Sequence, residues 1–195
     1  MESVDFDNMR RAMVDSQLRT SGVNTPWVIA AMGNLPRENY VPAGLRNTAY
    51  MDRALPLGDG RTLNPPVASA LMLEAADVSA DDNVLLFGQP GGYVADLLKG
   101  RANTVVTIES LADLPSAGAE GPYTVIIIDG AIEELPTALL DLATENARVV
   151  AGLVESGVTR MAAGYLRGGT VALRPFSDTE IAVLPEFAVP REFVF

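Results

Sequence analysis

Val84-Leu85-Leu86-Phe87-Gly88-Gln89-Pro90-Gly91-Gly92-Tyr93 is the stretch that decides the fold of this chain. Val84–Phe87 reads as a buried strand, the glycines as a sharp turn, and 92–99 as a helix. A Rossmann-like α/β domain holds a nucleotide-containing ligand at such a turn. Gly88 permits the turn, and Gly91 and Gly92 allow close backbone approach at a helix start. Two positions depart from the usual pattern. Pro90 takes the middle glycine position and removes an N–H donor, and Leu86 stands where an acid is expected. The same cluster also reads as a strand-to-helix turn without a ligand.

Outward from this point, strands and helices alternate. Strands are expected at 104–108, 123–128 and 148–153, with helices at 92–99 and 136–144. Alternation of this kind implies a parallel sheet. Glu109 follows the second strand, where a carboxylate can accept hydrogen bonds from a ribose diol; it also reads as a solvated strand-end acid. Asp129-Gly130 follows the third strand, and reads either as a group at the ligand-binding edge or as a turn-forming pair. Beyond 168 the pattern changes to short segments, 169–174, 180–184 and 192–195, expected as antiparallel strands finishing the sheet edge.

The N-terminal part is helical. Met9, Met13, Val14 and Leu18 give an apolar stripe over 4–20, closed by Gly22. Asn24 or Thr25 caps a second helix with Pro26 at its first position, and Trp27 and Met32 read as core. Residues 50–66 form a long shaped loop anchored by Leu55, Leu57 and Leu63. Pro66 opens a third helix through Ala76. In the loop, Arg61 is a candidate clamp for a substrate carboxylate. Thr62 or Asn64 is a candidate hydrogen-bonding partner for it, with Asp59 in the same loop, unless these residues serve only as local turn caps.

Composition narrows the chemistry. Lys and Arg number 14 against 25 Asp and Glu, a net charge of −11, which repels nucleic acid and anionic membrane surfaces. There is no Cys and no His, so thiol nucleophiles, disulfides and imidazole bases are excluded. No apolar run reaches membrane-spanning length, and the opening residues lack a secretory pattern, so a cytoplasmic location is expected. At 195 residues one domain is expected, with residues 1–76 forming a helical and substrate-loop segment and 77–195 the Rossmann-like sheet.

Longer segments carry a family resemblance. Ala12-Met13-Val14-Asp15-Ser16-Gln17-Leu18, Pro36-Arg37-Glu38-Asn39-Tyr40-Val41-Pro42 and Tyr50-Met51-Asp52-Arg53-Ala54-Leu55-Pro56-Leu57 resemble the N-terminal signature of protein-L-isoaspartate O-methyltransferases. Gly58-Asp59-Gly60-Arg61-Thr62 follows in the same register. The ending, Val183-Leu184-Pro185 through Arg191-Glu192-Phe193-Val194-Phe195, is similar to the short alphaproteobacterial branch. The resemblance implies a class I methyltransferase fold, S-adenosylmethionine as methyl donor, an isoaspartyl carboxylate as acceptor, and a role in protein repair. It places Gly88, Gly91, Gly92 and Glu109 at the cofactor, and Thr62 and Asn64 at the reaction. Methyl transfer between bound groups needs positioning more than acid–base catalysis, so the lack of His and Cys is no obstacle.

The resemblance is broken in one stretch. The family places a strand–helix unit and an adenine-contacting loop between its ribose-binding acid and the next core strand. Here thirteen residues, Ser110 to Pro122, fill that interval, too few for a strand and a three-turn helix. One strand–helix unit is therefore expected to be missing, leaving 104–108 at a sheet edge and favouring a homodimer. The alternative function is a catalytically silent family member that acts as a binding or structural protein.

Overall fold

The computed structural model describes residues 4–58 and 60–189. Two helices open the chain, α1 (Phe6–Met13) and α2 (Pro26–Asn34). Asp5 caps α1 by accepting from Asn8 N at 3.0 Å. A wider helical turn continues it over Val14–Leu18, and Gly22 stops it at φ 88°. Thr25 precedes Pro26, yet its hydroxyl turns away from the helix and donates to Glu74 Oε1 at 2.9 Å.

The loop expected over 50–66 contains a hairpin, β1 (Leu55–Gly58) and β2 (Arg61–Leu63). Its strands are short enough for the Gly and Pro residues to mask their pattern. Helix α3 (Pro66–Ala76) matches its expected bounds and is buried along almost its whole length. It packs between the sheet on one side and α2 with the 14–18 turn on the other, which explains an apolar sequence with no polar face.

The central sheet contains β3 (Asn83–Phe87), β4 (Thr104–Ile108), β5 (Tyr123–Ile132), β6 (Ala143–Glu155), β7 (Val158–Arg167), β8 (Thr170–Val171) and β9 (Arg174–Asp178). The order is β4-β3-β5-β6-β7-β8, with β9 also on β7. The first four strands are parallel, and β7, β8 and β9 add antiparallel partners. Period-two alternation divides two apolar layers. Val84, Leu86, Val125 and Ile127 face the N-terminal helices, whereas Leu85, Phe87, Ile126 and Ile128 face the opposite layer.

Short helices α4 (Tyr93–Leu97), α5 (Leu114–Gly118) and α6 (Thr137–Leu140) complete the layers. Between Glu109 and β5 there are only the turn Leu111–Asp113 and α5, with no strand. The strand–helix unit is therefore absent, and β4 is an edge.

Several expected boundaries move. Strand β5 runs through Asp129-Gly130 to Ile132, so that pair lies inside a strand and is not a turn. Strand β7 was not anticipated, since its small residues Ala162, Ala163 and Gly164 carry little strand signal. The 180–184 segment is not a strand; it touches β5 through one parallel bridge, Ala131 to Val183. The 136–144 helix shortens to α6 because β6 begins at Ala143. The segment 192–195 lies outside the described residues.

One carboxylate ties the beginnings of the strands together. Asp82 Oδ1 accepts from Thr124 Oγ1 at 2.7 Å, and Oδ2 from Ser79 N at 2.8 Å and Arg148 Nη2 at 2.9 Å. Its carbonyl accepts from Asn103 N at 2.9 Å. Burial opposes ionisation, but these hydrogen bonds and the charge of Arg148 outweigh it and hold the carboxyl below its ordinary value.

Candidate active site

A cavity of about 790 Å³ opens beyond the carboxyl ends of β3, β4 and β5, the edge at which parallel sheets bind ligands. Gly88, Gly91, Gly92 and Glu109 all line it, as do Arg61 and Thr62 from the hairpin. The segment 39–42 and residues Ala182–Glu186 close its sides. Asp59 lies outside the described residues.

The glycine turn keeps its shape despite Pro90. Gly92 N donates to Gln89 O at 2.9 Å, and Gly91 adopts φ 68°. A Cβ on Gly92 would stand 2.9 Å from Gln89 O, so the turn has no room for a larger residue. Gly88 N donates to Ile108 O at 2.8 Å, which locks the turn to β4 just before Glu109. Leu86, at the position expected to be acidic, is buried in the apolar layer.

Glu109 and Thr62 are exposed towards this space. Asn64 is not. Expected beside Thr62 at the reaction, it is buried one layer below the cavity with its side-chain amide fully engaged. Nδ2 donates to Asp129 Oδ1 at 2.8 Å and Oδ1 accepts from Ala182 N at 2.7 Å. Asn64 thus ties the hairpin, β5 and the 182–186 segment into one frame.

Beneath Asn64 lies Arg37, a fully buried arginine. Its Nε donates to Ala49 O at 2.8 Å and its Nη2 to Asn64 O. Its guanidinium sits 4.8 Å from the centre of the Tyr93 ring, a cation–π distance. Tyr40 meets Tyr93 edge-on at 5.3 Å. Burial pushes the Tyr93 hydroxyl up to about 12, with Arg37 opposing, so it is a neutral phenol. Arg37, Tyr40 and Tyr93 all stand in the quoted motifs, but their spacing alone gives no sign that they stack.

Asp129 takes the first of its two readings, a group at the ligand-binding edge. The pairing of β5 with β6 shifts register between Ile127 and Ala131. Such a bulge re-aims side chains, and here it sets Asp129 on the cavity floor. Burial pushes its carboxyl above the ordinary range, against the hydrogen bond from Asn64 and the charge of Arg37.

The mixed sheet, parallel from β4 to β6 and finished by antiparallel strands, with a ligand cavity at the glycine turn after β3, is that of the class I methyltransferase fold. Two solved structures share it. One is a putative protein-L-isoaspartate O-methyltransferase from Plasmodium falciparum in complex with S-adenosyl-L-homocysteine; it has a TM-score of 0.72 at 16% identity, over 91% of this chain and 98% of that one. A second protein-L-isoaspartate O-methyltransferase gives a TM-score of 0.70 at 18% identity, over 91% of this chain and 67% of that one. The family model for protein-L-isoaspartate(D-aspartate) O-methyltransferase matches residues 8–120. The enzyme of that name from Methanoculleus marisnigri is 34% identical over 175 residues, covering 77% of this chain and 80% of the relative. That from Koribacter versatilis is 35% identical over 165 residues, 72% and 74% of the two chains. The chain belongs to the protein-L-isoaspartate O-methyltransferase family.

Proposed function

We propose that the protein transfers a methyl group from S-adenosylmethionine to the free α-carboxylate of isoaspartyl residues in proteins, as a step in their repair. The observation that carries this reading is the open cavity at a glycine turn that keeps its shape despite Pro90, within a chain of this family. Its size suits a nucleoside-containing ligand. Its polar lining suits this one: Glu109 accepts from the ribose hydroxyls, and the backbone around Gly88, Gly91 and Gly92 serves the amino-acid part. A collapsed or filled cavity would have favoured the catalytically silent alternative.

Bound there, S-adenosylmethionine supplies an electrophilic methyl group. The chain's own residues position the acceptor. Arg61 and Thr62 reach the cavity from the hairpin, where a guanidinium and a hydroxyl can hold a carboxylate by charge-assisted hydrogen bonds. Asn64 keeps that hairpin fixed against β5. The nucleophile is already an anion, so no side chain needs to remove a proton.

The reading is tested with methyl-labelled S-adenosylmethionine and a pair of peptides that differ only in an isoaspartyl or an aspartyl linkage. Base-labile label is expected on the isoaspartyl peptide alone. Label on neither peptide, or equally on both, overturns the reading.

A further inference from the structure

Asp129 has no task in the chemistry above, yet its surroundings are specific. A Cβ on Gly88 would stand 3.3 Å from Asp129 Cβ and 3.5 Å from Leu86 Cγ, so all three residues converge at the base of the turn. Phe87 of β3 is directly opposite Ile128 of β5, and the bulge then re-aims Asp129 into the cavity. Protein encloses the residue on its other sides, while part of its surface opens onto the cavity.

Its two oxygens differ. Oδ1 accepts from Asn64 Nδ2 at 2.8 Å. Oδ2 accepts no hydrogen bond from any described residue. Arg37 makes no ion pair with it: Nε and Nη2 donate to the carbonyls of Ala49 and Asn64, and the buried Nη1 has no hydrogen-bond partner among the described residues, so Arg37 acts on Asp129 through its charge alone. Deeply set carboxylates are ordinarily satisfied by donors. One that lines a ligand cavity and has an unbonded oxygen is suited to a donor carried by the ligand.

We infer that Asp129 is the anionic contact for the α-ammonium group of the methyl donor, supplying from β5 the charge that Leu86 does not supply at the end of β3. This rests on the cofactor reading above. In the order β4-β3-β5, Glu109 and Asp129 lie two strand spacings apart, about 10 Å. An extended S-adenosylmethionine bridges such a distance with its ribose at one end and its ammonium at the other. Glu186 also borders the cavity, but it is exposed and solvated. Burial makes ionisation of Asp129 costly, and a bound cation offsets that cost.

Two probes separate this contact from a merely structural role. S-adenosylhomocysteine carries the ammonium group; 5′-methylthioadenosine has the same nucleoside and no amino-acid part. Both are titrated calorimetrically into the parent protein and Asp129→Asn, with Asp129→Thr as a second variant. The expected result is a loss of tenfold or more in affinity for S-adenosylhomocysteine, with 5′-methylthioadenosine binding as it does to the parent. Unchanged binding of S-adenosylhomocysteine, or an equal loss for both probes, overturns the assignment. A parent protein that binds neither probe overturns the cofactor reading itself, and the Asp129 assignment with it.

Discussion

Asn64 Nδ2 donates to Asp129 Oδ1 at 2.8 Å, joining residues 65 positions apart. The opposite end of the same amide accepts from Ala182 N at 2.7 Å. One side chain thus fixes the hairpin, the floor and a side of the cavity. Asn64→Ala leaves the part-buried Ala182 N–H without its partner, at about 1 kcal/mol. Hydrogen exchange should show the Ala182 amide losing protection while the amides of β3 keep theirs. Retained protection at Ala182 would show that the frame does not depend on this amide.

Arg37 is expected to matter for stability more than its surface-like residue type suggests. Arg37→Leu removes the donors to Ala49 O and Asn64 O and the nearby positive charge that opposes the burial of Asp129. Urea unfolding should show a loss of about 3 kcal/mol. Arg37→Lys should recover little of it, because an ammonium cannot reach two carbonyls with a planar fork while lying on Tyr93.

Asp82 should make stability depend on pH. Its folded value lies below the ordinary carboxylate value of 3.8. Its contribution is therefore fully present above the unfolded value and is lost as pH falls through the folded value. Asp82→Asn should cost about 2 kcal/mol at pH 7, with the gap to the parent narrowing below pH 3.8. A gap that stays constant down to the acid transition would contradict this.

Much of the fold was legible because it is written in local patterns. The apolar run 84–87 and its glycines fixed the first strand and turn, and Pro66 to Ala76 fixed α3 to the residue. The thirteen-residue interval 110–122, set against the strand–helix unit that the family resemblance implies there, announced the missing strand. What was not legible depends on tertiary register. No local signal marks the bulge that carries Asp129 into the cavity, because Asp-Gly is also an ordinary turn pair. Nor does the sequence tell that Asn64 points down into the frame while Thr62, two residues earlier on the same strand line, remains at the cavity. The break between β2 and α3 at Asn64 separates them. Strand β7 is not legible because Ala162, Ala163 and Gly164 at its centre carry little strand signal.

Strand β4 is expected to mediate a homodimer. In its parallel pairing with β3, alternate backbone groups face that strand, and those of Val105 and Thr107 point outward. Leu111 and Leu114 pack on one face of the sheet, which does not pair that edge. Sedimentation equilibrium at micromolar concentration should give twice the 20.7 kDa chain mass, and Thr107→Lys should return it to monomer. A monomeric parent over the whole concentration range rejects the dimer.

Glu109 should behave differently from Asp129. It faces the ribose end of the proposed ligand, so Glu109→Gln should weaken S-adenosylhomocysteine and 5′-methylthioadenosine alike, by about tenfold. Loss of only the amino-acid-bearing ligand would place the ligand in the reverse orientation.

The most direct measurement is equilibrium titration of the intact chain with S-adenosylhomocysteine. The account predicts one site per chain, with a dissociation constant in the micromolar range despite Pro90, Leu86 and the short 110–122 connection. No binding up to about 1 mM would contradict it and show that the cavity is not a cofactor site.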